Sequence, residues 1–301
     1  MNRYILYSGC IVGIFALIFA SARVQAQQQI GSYLHYVQHP DQINQAYTLS
    51  ADQGKIYSVG RKQWVNMEGA PTTVLMGGHV KTKNERSSVG LNVLYDKIGP
   101  ERYTEVNAFY GHAIRLSEND YLSGAINLGM RLYNVRFSRL EESDPSLRQD
   151  IDEKVGTVGL SFMYYRPEHF YVGLSLPRIG GEQFKQVAVF RENYAAIAAY
   201  LFEVDPGFHV KTSAWLARMD NNKLLGNFSA TAFLNRKFGI GANYATTKDL
   251  GFLASFTVSN ALRVGYGYQF GMASTSIGGM RNGSHEISIS YHFAKNGIRL
   301  L

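Results

Sequence analysis

The segment that decides the fold is Ser284-His285-Glu286-Ile287-Ser288-Ile289-Ser290-Tyr291-His292-Phe293. Apolar and aromatic side chains occupy alternate positions, namely Ile287, Ile289, Tyr291 and Phe293. The residues between them are polar or charged. Successive side chains of a β-strand point to opposite faces, so the pattern predicts a strand with one apolar face and one polar face.

The same alternation recurs from about residue 55 to the end of the chain, in segments of about ten residues. Leu262–Phe270 is a second clear example, with apolar residues at every even position. We identify fourteen strand candidates, at about 55–65, 71–80, 86–96, 101–116, 120–137, 154–165, 168–176, 191–203, 207–218, 223–235, 238–247, 250–258, 260–271 and 284–294. Repeated segments of this length predict an antiparallel transmembrane β-barrel of about 14 strands, with lipid outside and polar side chains inside.

Two arginines test the assignment of faces. Arg131 and Arg263 each lie between apolar neighbours within a predicted strand. An arginine that faces lipid near the bilayer midplane costs about 2–4 kcal/mol. We therefore expect both side chains to face the lumen.

The connections between predicted strands differ in length between the two ends of the barrel. Even-to-odd connections such as 81–85, 166–167 and 236–237 are short, whereas 138–153, 177–190 and 272–283 are long. Bacterial barrels have short periplasmic turns and longer outer loops. The asymmetry supports a barrel over a soluble β-sandwich.

The N-terminal residues precede the barrel pattern. Residues 1–26 have a basic residue, a mostly apolar stretch and a Val24-Gln25-Ala26 cleavage site, which predicts a signal peptide. An uncleaved anchor, or a lipoprotein modified at Cys10, is the alternative. Residues 27–50 are too short for a domain, and we interpret them as a periplasmic arm or as a plug inside the barrel. The barrel itself is expected over residues 51–301.

Composition excludes several classes of function. Cys10, the only cysteine, is removed with the signal peptide, which leaves no thiol chemistry. The net charge of +7 is spread along the chain, whereas nucleic-acid binding favours a clustered basic surface, so no nucleic-acid partner is expected. After the signal peptide, no apolar run reaches the ~18 residues that a membrane-spanning helix needs.

Catalytic and metal motifs are weak in this sequence. The eight histidines lack a metal-ligand spacing, and no G-x-S-x-G motif is present. Ser284-His285-Glu286 suggests a hydrolase, but neighbouring strand residues point to opposite faces, so His285 would not share a site with the other two. We expect no enzyme activity, no cofactor and no metal, and keep a membrane-embedded hydrolase as the least favoured alternative.

Five local strings resemble segments of the PorP/SprF family, outer-membrane proteins linked to the type IX secretion system of Bacteroidetes. Arg61–Pro71 is similar to R-x-Q-W-x-x-x-x-G-A-P, Leu94–Pro100 to N-D-K-I-G-P, and Gly283–Tyr291 to the closing strand. Tyr36–Pro40 and Ile43–Tyr47 resemble Y-x-x-N-P and I-N-P-A-Y-A-G. In these last two strings His39 replaces asparagine and Gln45 replaces proline, so the departures cluster before the barrel.

The resemblance implies a monomeric barrel in outer-membrane lipid that works with type IX secretion components. Family members are thought to help export particular proteins or to hold them at the cell surface. The chain is therefore expected to be a non-enzymatic accessory or partner-anchoring component, with a secreted or surface protein as its partner. The alternative is a porin-like or ligand transport channel, for which residues 27–50 would be the plug.

Candidate partner-contact residues lie in two predicted outer loops of the resembling strings. They are Trp64, Glu68, Pro71, Asp96, Lys97 and Pro100. Exposed loop residues on a rigid scaffold are a common place for binding. The alternative is that Trp64 is an interfacial aromatic anchor and that the other residues only form turns.

Overall fold

The computed structural model describes residues 34–65, 67–137, 150–179, 192–219, 224–272, 283–293 and 297–301. The predicted signal peptide lies outside these residues. Fourteen antiparallel strands form one closed barrel in which each strand pairs with its neighbours in sequence and β1 pairs with β14. The prediction of a 14-stranded barrel is confirmed. No helix in the described ranges is both long and apolar enough to cross a membrane.

The strands are β1 Gly54–Lys62, β2 Thr72–Lys81, β3 Ser87–Ile98, β4 Glu101–Arg115, β5 Tyr121–Val135, β6 Ile151–Arg166, β7 Phe170–Ile179, β8 Glu192–Asp205, β9 Phe208–Met219, β10 Leu224–Leu234, β11 Phe238–Ala245, β12 Asp249–Thr257, β13 Leu262–Gly271 and β14 Ser284–His292.

The alternation in sequence separates the two faces of the wall. In β14, Ile287 is 64% exposed whereas Glu286 and Ser288 are each 1% exposed. The same contrast holds in β5, where Met130 points outward and Arg131 is buried. The outer face is thus apolar and suited to lipid, while the inner face carries most of the polar side chains.

The two ends of the barrel differ in their connections. At one end, which we name the turn end, each connection has about five residues or fewer, as at 82–86 and 206–207. The other end, the loop end, carries the connections 63–71, 136–150, 180–191 and 272–283, together with short turns such as 99–100. By the rule used above, the loop end is predicted to face outward.

Residues 34–52, named the plug, lie inside the barrel. They form three short 3-10 helices, Leu34–Val37, Pro40–Gln42 and Gln45–Leu49, and almost all of their side chains are buried. Of the two interpretations of residues 27–50, the plug is therefore correct for residues 34–50 and the periplasmic arm is wrong there. The physical reason is that these polar side chains find hydrogen-bond partners on the inner wall. Residues 27–33 lie outside the described ranges.

Residues 297–301 also fold into the lumen, at the turn end. Ile298, Leu300 and Leu301 are buried, and Arg299 Nη1 donates to the carbonyl of Ser50 at 2.8 Å. The Glu168 carboxylate in a turn accepts from the backbone N–H of Leu300 at 2.9 Å. These residues lie in the lumen beneath the plug, which the sequence did not predict.

Candidate functional site

Three of the five resembling strings meet at the loop end and form one rim. The Gly99 N–H donates to the Gly69 carbonyl at 3.0 Å, which joins the 63–71 loop to the 99–100 turn. The Val65 N–H donates to the Gly283 carbonyl at 3.2 Å, which joins the same loop to the start of β14. Gly69 and Gly99 have φ values of +73° and +54°, a backbone region that glycine adopts without strain. The rim is therefore a braced surface rather than separate loops.

The predicted contact residues differ in their access to solvent. Glu68 and Lys97 are exposed, Trp64 and Pro100 are half-buried, and Pro71 is buried. Asp96 and Lys97, expected in a turn, instead end β3. Asp96 is 5% exposed and accepts a hydrogen bond from Thr73 Oγ1 at 2.7 Å. Its carboxylate faces the lumen, so the expectation that it is an exposed loop residue is wrong.

A cavity of about 90 Å³, named the vestibule, lies between the plug and the inner wall toward the loop end. Glu105 in its wall forms an ion pair with Arg178 at 2.7 Å and accepts from Asn107 Nδ2 at 2.9 Å. The plug contributes Gln42 and Gln45 to the lining. The lining combines these polar groups with apolar side chains such as Leu75, Leu94 and Trp215.

The two predicted lumen arginines lie at different depths. Arg131 is buried on the inner face of β5, directly across from Glu105 of β4. Arg263 is buried near the turn end, where its Nε donates to Thr257 Oγ1 at 3.1 Å and its guanidinium lies 6.0 Å from the Phe233 ring centroid. Neither guanidinium faces the apolar outer wall.

Glu286 of β14 holds the start of the plug. Its carboxylate accepts from the backbone N–H groups of Leu34 and His35 at 3.0 and 2.7 Å. The His35 ring lies 2.5 Å from the same carboxylate, and Arg61 Nη1 lies 3.2 Å from it. A buried carboxylate needs several donors to offset the loss of water. We name Glu286, His35 and Arg61 the latch.

A second buried ion pair holds the middle of the plug. Asp41 of the plug pairs with Lys55 of β1 at 2.7 Å. Burial raises the pKa of the Asp41 carboxyl, but the charges of Lys55 and His79, together with hydrogen bonds from Lys55 and Tyr57, bring the net pKa below its ordinary value. His39 Nε2 lies 2.8 Å from Ser288 Oγ, and its ring stacks on Tyr57 at 4.0 Å between centroids.

The last helix of the plug contacts the opposite wall. Asn44 Nδ2 donates to the carbonyls of Phe162 and Leu174, each at 3.1 Å, and thereby bridges β6 and β7. The side chain fits beside Gly173, where an added Cβ would lie 2.7 Å from Nδ2. The plug is thus fixed at both sides of the lumen.

The Ser284-His285-Glu286 string does not form a catalytic group. Glu286 and Ser284 face the lumen, whereas His285 faces outward and contacts Tyr266 Oη at 2.7 Å through Nδ1. Across the described ranges, no group of three or more histidine, cysteine or acidic side chains is arranged to hold a metal. The buried carboxylates instead form hydrogen bonds and ion pairs that hold structure.

The latch and the Asp41–Lys55 pair were not identified from sequence. One signal was present, because Glu286 and Lys55 are charges at inward positions of amphipathic strands. A charge there needs a partner inside the barrel. The polar residues of the plug are the partners, but no local pattern states which one meets which.

Comparison with solved structures supports the barrel fold. The chain is similar to the CymD monoaromatic hydrocarbon channel, with a TM-score of 0.54, 11% identity, and coverage of 91% of this chain and 96% of that chain. It is also similar to the toluene transporter TodX of P. putida, with a TM-score of 0.51, 10% identity, and coverage of 83% and 92%. At such identities the similarity concerns the fold alone. Among curated proteins, none matches the chain.

The family described as "Type IX secretion system membrane protein PorP/SprF" matches residues 24–291, which include the plug, the rim and nearly the whole barrel. The strings that form the rim are those on which the resemblance rests. A closed 14-stranded barrel with an apolar outer face agrees with location in the outer membrane. The chain belongs to the PorP/SprF family of type IX secretion system membrane proteins.

Proposed function

We propose that this barrel is a non-enzymatic accessory component of type IX secretion that holds a secreted or surface protein at its loop end. The observation that carries the proposal is the rim, where three family strings, distant in sequence, are joined by the Gly69–Gly99 and Val65–Gly283 hydrogen bonds. A braced surface loses little conformational entropy when a partner binds. Membership in a secretion family supports a secreted or surface protein as the partner.

The filled lumen supports binding over conduction. The plug crosses from the β12–β14 wall to the β4–β6 wall, and residues 297–301 lie beneath it. A diffusion pore would need a continuous water-filled path, whereas here buried ion pairs fix the plug in place. A rigid, filled barrel is a suitable base on which to display the rim.

Glu68 and Lys97 are the exposed charges through which the rim would contact a partner. They carry opposite charges, and Glu68 lies in the 63–71 loop whereas Lys97 lies near the end of β3, next to the turn that the Gly69–Gly99 hydrogen bond joins to that loop. Asp96 is omitted from this contact set because its carboxylate is buried. Trp64 adds an aromatic surface that is only partly covered.

The experiment replaces Glu68 and Lys97 together by alanine in cells that lack the native copy. Both side chains are exposed, so the barrel should fold normally. Surface display of the partner should fall at least about tenfold if these residues are binding hot spots. The matched control is Lys83→Ala with Glu118→Ala, two exposed charges in turns at the other end. If the rim variant is present at a normal level and displays the partner normally, Glu68 and Lys97 do not bind the partner.

A ligand transport channel is the second candidate. The observation in its favour is the vestibule, which is a preformed cavity in the lumen. Transport would require the plug to leave its seat, and therefore would require the latch to break. Measurement of conductance in planar lipid bilayers separates the two candidates.

A further inference from the structure

A small cavity lies at the turn end of the lumen, beneath the plug. Its volume is about 20 Å³, and its lining includes Lys55, Lys211, Arg263, Arg299, Asp52 and His292. A buried water needs roughly 10–15 Å³ on this measure, so the cavity admits one water molecule or one ion of similar size. It is separate from the rim and from the vestibule.

The charges around this cavity do not balance. Lys55 is paired with Asp41, and Asp52 contacts His292 Nδ1 at 2.7 Å. Lys211 Nζ donates to the carbonyls of Val37 and Leu300, both at 2.9 Å. Arg263 donates through Nε to a threonine hydroxyl. Among the described residues, no carboxylate forms an ion pair with Lys211 or Arg263, although both side chains are nearly completely buried.

Arg263 also has an unused donor. Its Nη2 is buried and has no hydrogen-bond partner among the described residues. A buried guanidinium N–H without an acceptor is unfavourable, and a buried cation without a counter-charge is more so. An anion in the cavity would satisfy both requirements at once, whereas a water molecule would satisfy only the first.

We propose that this cavity is a binding site for one monatomic anion, chloride under physiological conditions, held chiefly by Arg263 and Lys211. A volume of about 20 Å³ suits a monatomic anion better than the larger sulfate and phosphate. Lys211 contacts the plug through Val37 and residues 297–301 through Leu300, and Arg263 belongs to β13. The anion would therefore join the wall, the plug and residues 297–301, and its role would be to stabilise the filled lumen.

The first test measures thermal unfolding of the purified, folded protein in detergent. The midpoint is followed in sodium chloride, sodium bromide and sodium gluconate at equal ionic strength. The site predicts a saturable rise in the midpoint with chloride or bromide relative to gluconate, because a ligand that binds only the folded state stabilises it. Arg263→Gln should lose this halide dependence. Lys237→Gln, an exposed lysine in a turn at the same end, should keep it.

The second test uses unchanged protein, so that it does not depend on whether Arg263→Gln folds. Crystals grown in sodium bromide should show an anomalous bromide peak within hydrogen-bond distance of Arg263 Nη2. Absence of that peak would overturn the proposal, as would a midpoint that responds equally to halide and gluconate. If the cavity contains only water, the bromide peak is absent and the midpoint responds equally to halide and gluconate. Neither outcome bears on the rim, so the proposed function stands or falls separately.

Discussion

The His35 ring lies 2.5 Å from the Glu286 carboxylate, although His35 and Glu286 are 251 positions apart in sequence. His35 lies in the first helix of the plug, and Glu286 belongs to the strand that closes the barrel. Arg61 of β1 reaches the same carboxylate, so the latch lies across the β1–β14 seam. Closure of the barrel and seating of the plug therefore depend on the same buried group.

Glu286→Ala should release the start of the plug while the wall remains folded. Removal of one member of a buried ionic group costs about 3–5 kcal/mol, because the remaining partners stay buried without compensation. Chymotrypsin should then cleave at Tyr36, which is buried in the native protein. Glu203→Ala, an exposed carboxylate near the turn end, is the control and should remain resistant. Equal resistance of the two variants would show that Glu286 does not hold the plug.

Gly265→Ala should disturb the plug through its fit to the wall. An added Cβ would lie 2.6 Å from His35 Nε2, and the ring cannot move away without losing its contact with Glu286. Overpacking of this kind costs about 1–3 kcal/mol. Hydrogen exchange at residues 34–37 should accelerate by roughly ten- to a hundredfold at that cost. Gly60→Ala is the control because its Cβ would have no neighbour within 4 Å. Unchanged exchange in Gly265→Ala would contradict the close packing.

Mild acid should loosen the plug through His39. Burial, followed by the charge of Lys55 and then by those of His35, His292 and Arg263, lowers the pKa of His39 well below its ordinary 6.5. The seated plug therefore binds fewer protons than the released plug, and its stability falls as pH drops below about 6.5. The pKa values of Asp41 and Asp52 lie below 3.8, so their contributions persist until pH approaches about 4.

The test of this prediction is hydrogen exchange of residues 34–51 at pH 7.5 and pH 5, corrected for intrinsic exchange. The native protein should lose protection at pH 5. His39→Gln should lose less, because glutamine has no proton to gain and its amide remains able to bond with Ser288. If the two proteins show the same pH dependence, another group is responsible.

Ile287→Arg should impair assembly of the barrel. Ile287 points outward near the middle of β14, where an arginine that faces lipid costs about 2–4 kcal/mol. His285→Arg is the matched control, because it lies on the same face of the same strand but nearer the loop end, where the cost is about 0–1 kcal/mol. The folded fraction is measured by heat-modifiable migration on gels. Equal folded fractions would contradict the assigned depth of the two positions.

Alternation in sequence was sufficient to predict the wall. The side-chain period of a strand is two, so the even positions of β13 and the odd positions of β14 from Ile287 could be assigned to lipid without a structure. The same alternation also places Asp96 on the inner face of β3. Val89 and Leu91 face outward, and Asp96 therefore shares the inner face with Asn92. The turn residues Gly99 and Pro100 favoured a loop at this point, but the strand continues to Ile98.

The plug could not be placed from sequence for a physical reason. Its short 3-10 helices have no amphipathic period, and its partners are single polar groups on strands far away in the chain. Asn44, for example, is held by two backbone carbonyls that any sequence would supply. Residues 297–301 pose the same difficulty, since Leu300 is fixed by Glu168 and Lys211. The rim could be predicted in part from sequence, because closure of the barrel makes β14 a neighbour of β1.

The central claim is that this barrel is a filled scaffold and not an open pore, and conductance in planar lipid bilayers tests it most directly. The native protein should insert without a steady ionic current at neutral pH. Glu286→Ala should show openings under the same conditions, because the latch no longer holds the plug, and Glu203→Ala should remain closed. A steady current through the native protein, equal to that of Glu286→Ala, would contradict the claim and favour the transport channel.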